Sequence, residues 1–248
     1  MRGVIANARQ GEALPTAPRT EIKRGLKAVL PMMLSFVPFG LLLGAQASQK
    51  GLSVVEVPLM TGLNFGGGSE FAAVGLWTSS PLVLLIVAIT LLINSRHLLM
   101  GASLAPYLKH LPKRRVLPAL FLMCDKSWAM GLSDARQRSA AGHEIGFSLP
   151  YYLAVAAGLY LTWIVSTAFG AALGPAMGDV EAYGFDMAFV AVFLVLLRGM
   201  WRGMRAARPW LVSLLAAAVT FLLVPGAWYV AAGAAAGLLS AFVWAEEA

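Results

Sequence analysis

Of 248 residues, 59% are apolar and 12% are charged, about half the charged share of a soluble domain. Nineteen basic and twelve acidic side chains cannot coat a globule of this size with polar surface, which excludes a soluble protein. The net charge of +7 would ordinarily suggest nucleic acid, but the Lys and Arg residues lie in links between apolar runs. That is the pattern of a polytopic membrane protein with its basic residues on one side of the bilayer, and no nucleic-acid partner is expected.

The first 25 residues carry Arg2, Arg9, Arg19, Lys23 and Arg24 with two prolines, and contain no apolar core of signal-peptide length. They are expected to form a cytoplasmic arm. Apolar runs able to cross roughly 30 Å of hydrocarbon follow at 26–48, 81–105, 149–173 and 226–245, with shorter ones at 185–200 and 209–224. Two further segments, 54–78 and 115–132, are apolar but broken, the first by Asn64 to Glu70 and the second by the adjacent pair Asp125-Lys126 after Pro118. The basic arm and the link holding Arg202, Arg205 and Arg208 are expected inside, and the link 174–184, with Asp179 and Glu181, outside. Eight full crossings would leave Lys109, Lys113, Arg114 and Arg115 outside. Six full spans with the two broken segments re-entrant put every basic cluster inside, so this is the preferred reading and eight spans the alternative. The expected fold is an all-α, polytopic integral membrane bundle: arm 1–25, one transmembrane transport domain 26–245, and a cytoplasmic tail 246–248. Gly40 and Gly44, Gly170 and Gly174, and Gly233 and Gly237 are spaced for close helix packing.

Polar residues at membrane depth carry the functional signal, because an ionisable group there costs a few kcal/mol, on the order of 3, and needs a cavity or a partner. In Asn64 to Phe71, Gly66, Gly67 and Gly68 release the backbone from helical geometry, which lipid tolerates only where the loosened strand is buried or lines a watery cavity. Ser69 reads as the N-cap of a half-helix running on from it. Such a half-helix aims free N–H groups and a positive dipole end at the carboxylate of a small solute. Glu70 is then placed to receive a substrate ammonium or to carry a coupled proton. The alternative is a surface loop with Glu70 in water.

Asn94, Arg96 and His97 fall inside the run 81–105. Arg96 stays charged and requires a carboxylate, a carbonyl or the substrate itself. It therefore either holds substrate or ties helices together through Glu70 or Asp125, and His97 serves as a proton relay or caps a carbonyl. In Cys124-Asp125-Lys126-Ser127-Trp128, neighbouring charges on a helix diverge, so Asp125 should seek Arg96 while Lys126 snorkels towards an interface near Trp128. The alternative is an interfacial helix end with both charges wet. The single Cys124 permits no internal disulfide or multi-cysteine metal site. No HExxH, GxSxG, CxxC or P-loop pattern occurs, so neither an enzyme nor a cofactor is expected.

Phe65-Gly66-Gly67-Gly68-Ser69-Glu70-Phe71 resembles the "AGxSQF" segment of the AzlC family of branched-chain amino acid transporters. Asn94-Ser95-Arg96-His97-Leu98-Leu99-Met100 is similar to that family's "N/D-x-R-H/Y-x-L-M" signature, followed by the small-Leu pair Ser103-Leu104. Asp125-Lys126-Ser127-Trp128 stands where the family carries "T-D-E-x-aromatic". The resemblance runs from about Gly25 to Trp244 and departs at two positions, Glu70 for Gln and Lys126 for an acidic residue. It implies the large permease subunit of a bacterial inner-membrane exporter of branched-chain-type amino acids, acting with a small AzlD-type membrane partner. On that reading the substrate meets Gly66 to Glu70, Asn94 and Arg96, while Glu70, His97 and Asp125 are the proton-coupling candidates. The alternatives are a transporter or channel for another small solute, or a membrane-embedded enzyme using His97 and Asp125.

Overall fold

Long apolar runs punctuated by Gly, Pro and short polar clusters become helices of very unequal length. The computed structural model describes residues 17–141, 146–176, 203–226 and 228–245, with Leu194, Arg198 and Trp201. Among these the regular elements are helical: α1 Pro18–Gln49, α2 Glu56–Asn64, α3 Gly68–Gly75, α4 Val83–Asn94, α5 Arg96–Leu108, α6 Lys113–Phe121, α7 Asp125–Ala140, α8 Leu149–Leu173, a 3-10 turn Gly174–Ala176, α9 Met204–Leu223 and α10 Trp228–Ala245. α1 opens on Pro18 with Glu21 in its first turn, two features that suit a helix N-terminus. It therefore starts inside the stretch 1–25 that was expected to be a cytoplasmic arm.

Among the described residues, four helical stretches are long and apolar enough to cross a membrane: Pro18–Gln49, Val83–Leu108, Leu149–Ala176 and Met204–Leu223. The run expected to span at 226–245 forms an apolar helix of 18 residues, at the short end of spanning length. Segments 54–78 and 115–132 are each broken, as their polar interruptions suggested, into α2 with α3 and α6 with α7. The run 81–105, read as uninterrupted, is divided at Ser95, whose N–H bonds the Leu92 carbonyl at 3.3 Å while its hydroxyl bonds the same oxygen at 2.7 Å. A serine that takes its own helix's carbonyl competes with the regular ladder, which explains the interruption. Most of the expected span at 185–200, most of the outside link 174–184 and Arg202 lie outside the described residues.

Contacts divide the chain into two compact units, Met1–Gly40 with Arg96–Ser166, and Leu41–Ser95 with Thr167–Ala248. In the first unit, Gly25 lies against Tyr151 and Ala154, Gly158 against Val29 and Met33, and the Phe36 ring meets Trp163 edge-on at 5.8 Å. Contacts that advance together along both chains mean that α1 and α8 run parallel. α6 follows the same direction, since the Ala119 carbonyl accepts the Tyr152 hydroxyl at 3.1 Å and Phe121 packs on Tyr160 at 6.0 Å. Leu104, Leu108, Ala119, Met123, Leu132, Ala135 and Tyr152 form a core where α5, α6, α7 and α8 meet.

In the second unit, Gly44 lies against the backbone of Thr167, Gly170 and Ala171, and Gly170 against that of Leu41. Gly174 packs on Ala45 and Ser48, while Gly233 and Gly237 pack on Ser213, Gly233 also meeting Ala217, where α9 and α10 pair. In all these pairs the small residues act as close-packing surfaces. At Gly170 an added side chain would meet backbone that cannot move aside. Gly170→Leu is expected to cost at least about 1–3 kcal/mol, seen as a lower melting temperature of the detergent-solubilised protein. Gly101→Ala, in α5 with open space around it, should melt like wild type.

Candidate functional site

In the second unit, α2 stops because Phe65 turns left-handed (φ 43°, ψ 42°), its N–H closing on the Thr61 carbonyl at 3.0 Å. That conformation is rare for a bulky residue, and it persists here at a fully packed position, with Phe65 only 4% exposed. Gly67 follows at φ 58°, ψ −87°, a combination available essentially to glycine alone. Gly66 is required for a different reason. A Cβ there would run into the Ser69 hydroxyl and the Asn94 amide.

Around this break a chain of side-chain hydrogen bonds links three helices. Asn94 at the end of α4 donates from Nδ2 to Asn64 Oδ1 at 2.9 Å, and Asn64 Nδ2 donates to Ser69 Oγ at 2.9 Å. Glu70 Oε1 accepts the Gly66 N–H at 3.1 Å, so its carboxyl takes up a donor that the interrupted helix leaves over. Ser69 and Glu70 are both fully buried. Ser69 is not the N-cap it was expected to be. α3 begins one residue earlier, Gly67 occupies the cap without a side-chain bond, and Ser69 Oγ is engaged by Asn64. One turn before Asn64, Thr61 pairs with Thr167 of α8 through their hydroxyls at 2.9 Å, and both are fully buried. Thr61 and Thr167 were not singled out in the sequence, although a hydroxyl within an apolar run is itself a reason to look for an interhelical bond.

In the first unit, Arg96 opens α5 and its Nη1 lies 3.1 Å from Asp125 Oδ2. The expected pairing forms, with the two side chains 39% and 50% exposed. Asp125 opens α7 after the interruption at Leu122 to Cys124, where the Ser127 hydroxyl receives the Cys124 N–H at 2.9 Å. A carboxylate in the first turn of a helix also gains from the helix dipole. Trp128 Nε1 donates to Ser103 Oγ at 2.7 Å, fastening α7 to α5. His97 and Lys126 are half-buried. The residues singled out in the sequence thus gather as two groups, Gly66, Gly67, Gly68, Ser69, Glu70 and Asn94 in one unit, and Arg96, His97 and Asp125 in the other.

A second ionic cluster lies where α1 and α8 begin. Glu21 Oε2 accepts Arg24 Nη2 at 2.7 Å, Arg138 Nη1 at 3.1 Å and Ser148 Oγ at 2.6 Å. Arg24 also reaches Asp134 at 2.5 Å and sits 4.0 Å over the Tyr151 ring. Glu21 and Asp134 are 4% and 7% exposed, which makes this a buried network. Of these charges the sequence reading named only Arg24, as part of the arm, and it did not single out Glu21, Asp134 or Arg138.

The family described as AzlC protein matches residues 31–177. An uncharacterized membrane protein of Archaeoglobus fulgidus is 29% identical over 71% of this chain and 74% of its own length. The branched-chain amino acid transport protein AzlC of Bacillus subtilis is 25% identical over 69% of this chain and 65% of its own. The inner membrane protein YgaZ of Escherichia coli is 23% identical over 64% of each. No solved structure matches. The family match takes in the interrupted helix at Phe65 to Gly67, Arg96 with its partner Asp125, and all of α8, and on this basis the chain belongs to the AzlC family.

Proposed function

We propose that this chain is the large subunit of a secondary transporter that exports small apolar amino acids of the branched-chain type across the bacterial inner membrane. The observation that carries the reading is the interruption of an apolar segment at Phe65 to Gly67, surrounded by buried Ser69 and Glu70 and by the Asn64–Asn94 amide pair. Irregular backbone at membrane depth is a costly feature that transporters use for substrate sites. The α3 N-terminus and the amides suit a substrate carboxylate, and Glu70 suits the ammonium or a coupled proton. Arg96, His97 and Asp125 form the second group through which charge is handled, and a small AzlD-like membrane subunit completes the complex. The relative named as a branched-chain amino acid transport protein supports the substrate class.

Both termini are placed in the cytoplasm, and segments 54–78 and 115–132 are read as re-entrant. In support of the second re-entrant segment, α7 ends beside Glu21 and Ser148, at the end of its unit where α1 and α8 begin.

The test is counterflow of labelled leucine, valine or methionine in proteoliposomes, with the chain alone and with its small partner. Saturable exchange of at least one is expected; exchange of none in either preparation sinks the amino acid reading. Gln at position 70 keeps an oxygen for the Gly66 N–H but cannot ionise. Glu70→Gln is therefore expected to leave exchange largely intact while cutting proton-driven net export on the order of tenfold, the worth of one charge-assisted interaction. Net export with an unchanged pH profile in that variant would remove Glu70 from the coupling role.

A further inference from the structure

Lys109, His110, Lys113, Arg114 and Arg115 crowd the turn between α5 and α6, and all five side chains are exposed. No acidic residue occurs between Leu108 and Cys124, and none of the four Lys and Arg side chains has an ion-pair partner among the described residues. The helix that follows has two different long faces. Val116, Ala119 and Leu120 pack into the core of the first unit. Lys113, Leu117 and Phe121, spaced four apart, share the other face, with Leu117 65% and Phe121 51% exposed. α6 thus shows outward a cationic first turn and apolar later turns.

Its orientation sharpens the point. α6 advances along α8 from Tyr152 to Tyr160, so its cationic turn lies towards the end where α1 and α8 begin. Exposed Arg19, Lys23 and Lys27 of α1 belong to that same end. So does exposed Arg136 of α7, whose neighbours Asp134 and Arg138 bond Arg24 and Glu21.

We infer that the α5–α6 turn and the outer face of α6 form a binding surface for anionic phospholipid. The phosphodiester headgroups pair with Lys109, Lys113, Arg114 and Arg115, and the acyl chains lie along Leu117 and Phe121. Charge complementarity selects this occupant. An acidic peptide or a nucleic acid would match the cations and leave Leu117 and Phe121 in water. A zwitterionic lipid would cover the apolar stripe, but its own cationic group already balances its phosphate and leaves the four Lys and Arg side chains without net counter-charge. The inference is independent of which solute is transported.

The test uses the full-length purified protein in mixed micelles containing equal phosphatidylglycerol and phosphatidylcholine, with the lipid retained after detergent washing counted by native mass spectrometry. Wild type is expected to retain phosphatidylglycerol over phosphatidylcholine by about tenfold or more, and the K109Q/K113Q/R114Q/R115Q variant to lose most of that preference. High salt should collapse the wild-type preference without any mutation, a measurement that stands even if the variant fails to fold. Inorganic phosphate at the same ionic strength should compete no better than chloride, because it lacks the acyl chains. Equal retention of the two lipids by wild type, a preference that survives high salt, an undiminished preference in a folded variant, or displacement specific to phosphate would each overturn the proposal.

Discussion

Glu21→Ala is expected to be the most destabilising single substitution in the first unit. Three donors converge on one oxygen of this carboxylate, and its removal leaves Arg138, whose side chain is 18% exposed, without its ion-pair partner. Arg24 fares better because it keeps Asp134. Removing one member of a buried ionic network costs about 3–5 kcal/mol, chiefly as an uncompensated buried charge. For a chain of this size that corresponds to a fall in melting temperature of roughly 6–20 °C. Thermal unfolding in detergent should therefore rank Glu21→Ala below Asp134→Ala, with Glu21→Gln between Glu21→Ala and wild type. A Glu21→Ala protein that melts like wild type would show that the cluster is incidental to stability.

The second large effect falls on transport. Gly66→Ala pushes a methyl group against the Ser69 hydroxyl and the Asn94 amide, which displaces two members of the hydrogen-bonded chain at the break. Gly67→Ala meets no neighbour, but it forces an L side chain into φ 58°, ψ −87°, at a cost of about 1–3 kcal/mol. Both are expected to lower exchange in proteoliposomes by roughly tenfold to a hundredfold, the usual consequence of moving positioning groups by about an ångström. Gel-filtration profiles should stay normal, since neither residue lies within a long helix. The two variants should also differ from each other. Gly66→Ala combined with Ser69→Gly relieves part of the clash and should recover part of the rate, whereas no neighbour substitution should rescue Gly67→Ala. Full activity in both single variants would mean that the break is only a linker.

What could be read along the chain were properties of single segments. The charge deficit excludes a soluble fold, apolar length locates α1, the α4–α5 stretch and α8, and the glycine run locates the break after Asn64. Each depends only on residues close in sequence, where lipid and helical geometry impose their demands directly. Of the two partners anticipated for Arg96, Glu70 and Asp125, the structure pairs it with Asp125, a match legible because charges within apolar segments have few other partners.

Where a polar group finds its partner across the chain is a different kind of information. Glu21, Arg138 and Ser148 carry no local mark of a partner in the sequence. They meet only because α7 returns to the end where α1 and α8 begin in parallel, joining positions 117 and 127 residues apart. Thr61 and Thr167 pair for the same kind of reason, across 106 residues. Ser69, a good cap by local rule, lost that role because Asn64 takes its hydroxyl and Gly67 already turns the chain. The sequence by itself determined which segments are apolar enough to enter a membrane and where two of them break, because hydration cost and backbone geometry act residue by residue. Only the tertiary structure decided which buried polar groups share a hydrogen bond, because that depends on how helices distant in sequence are brought into register.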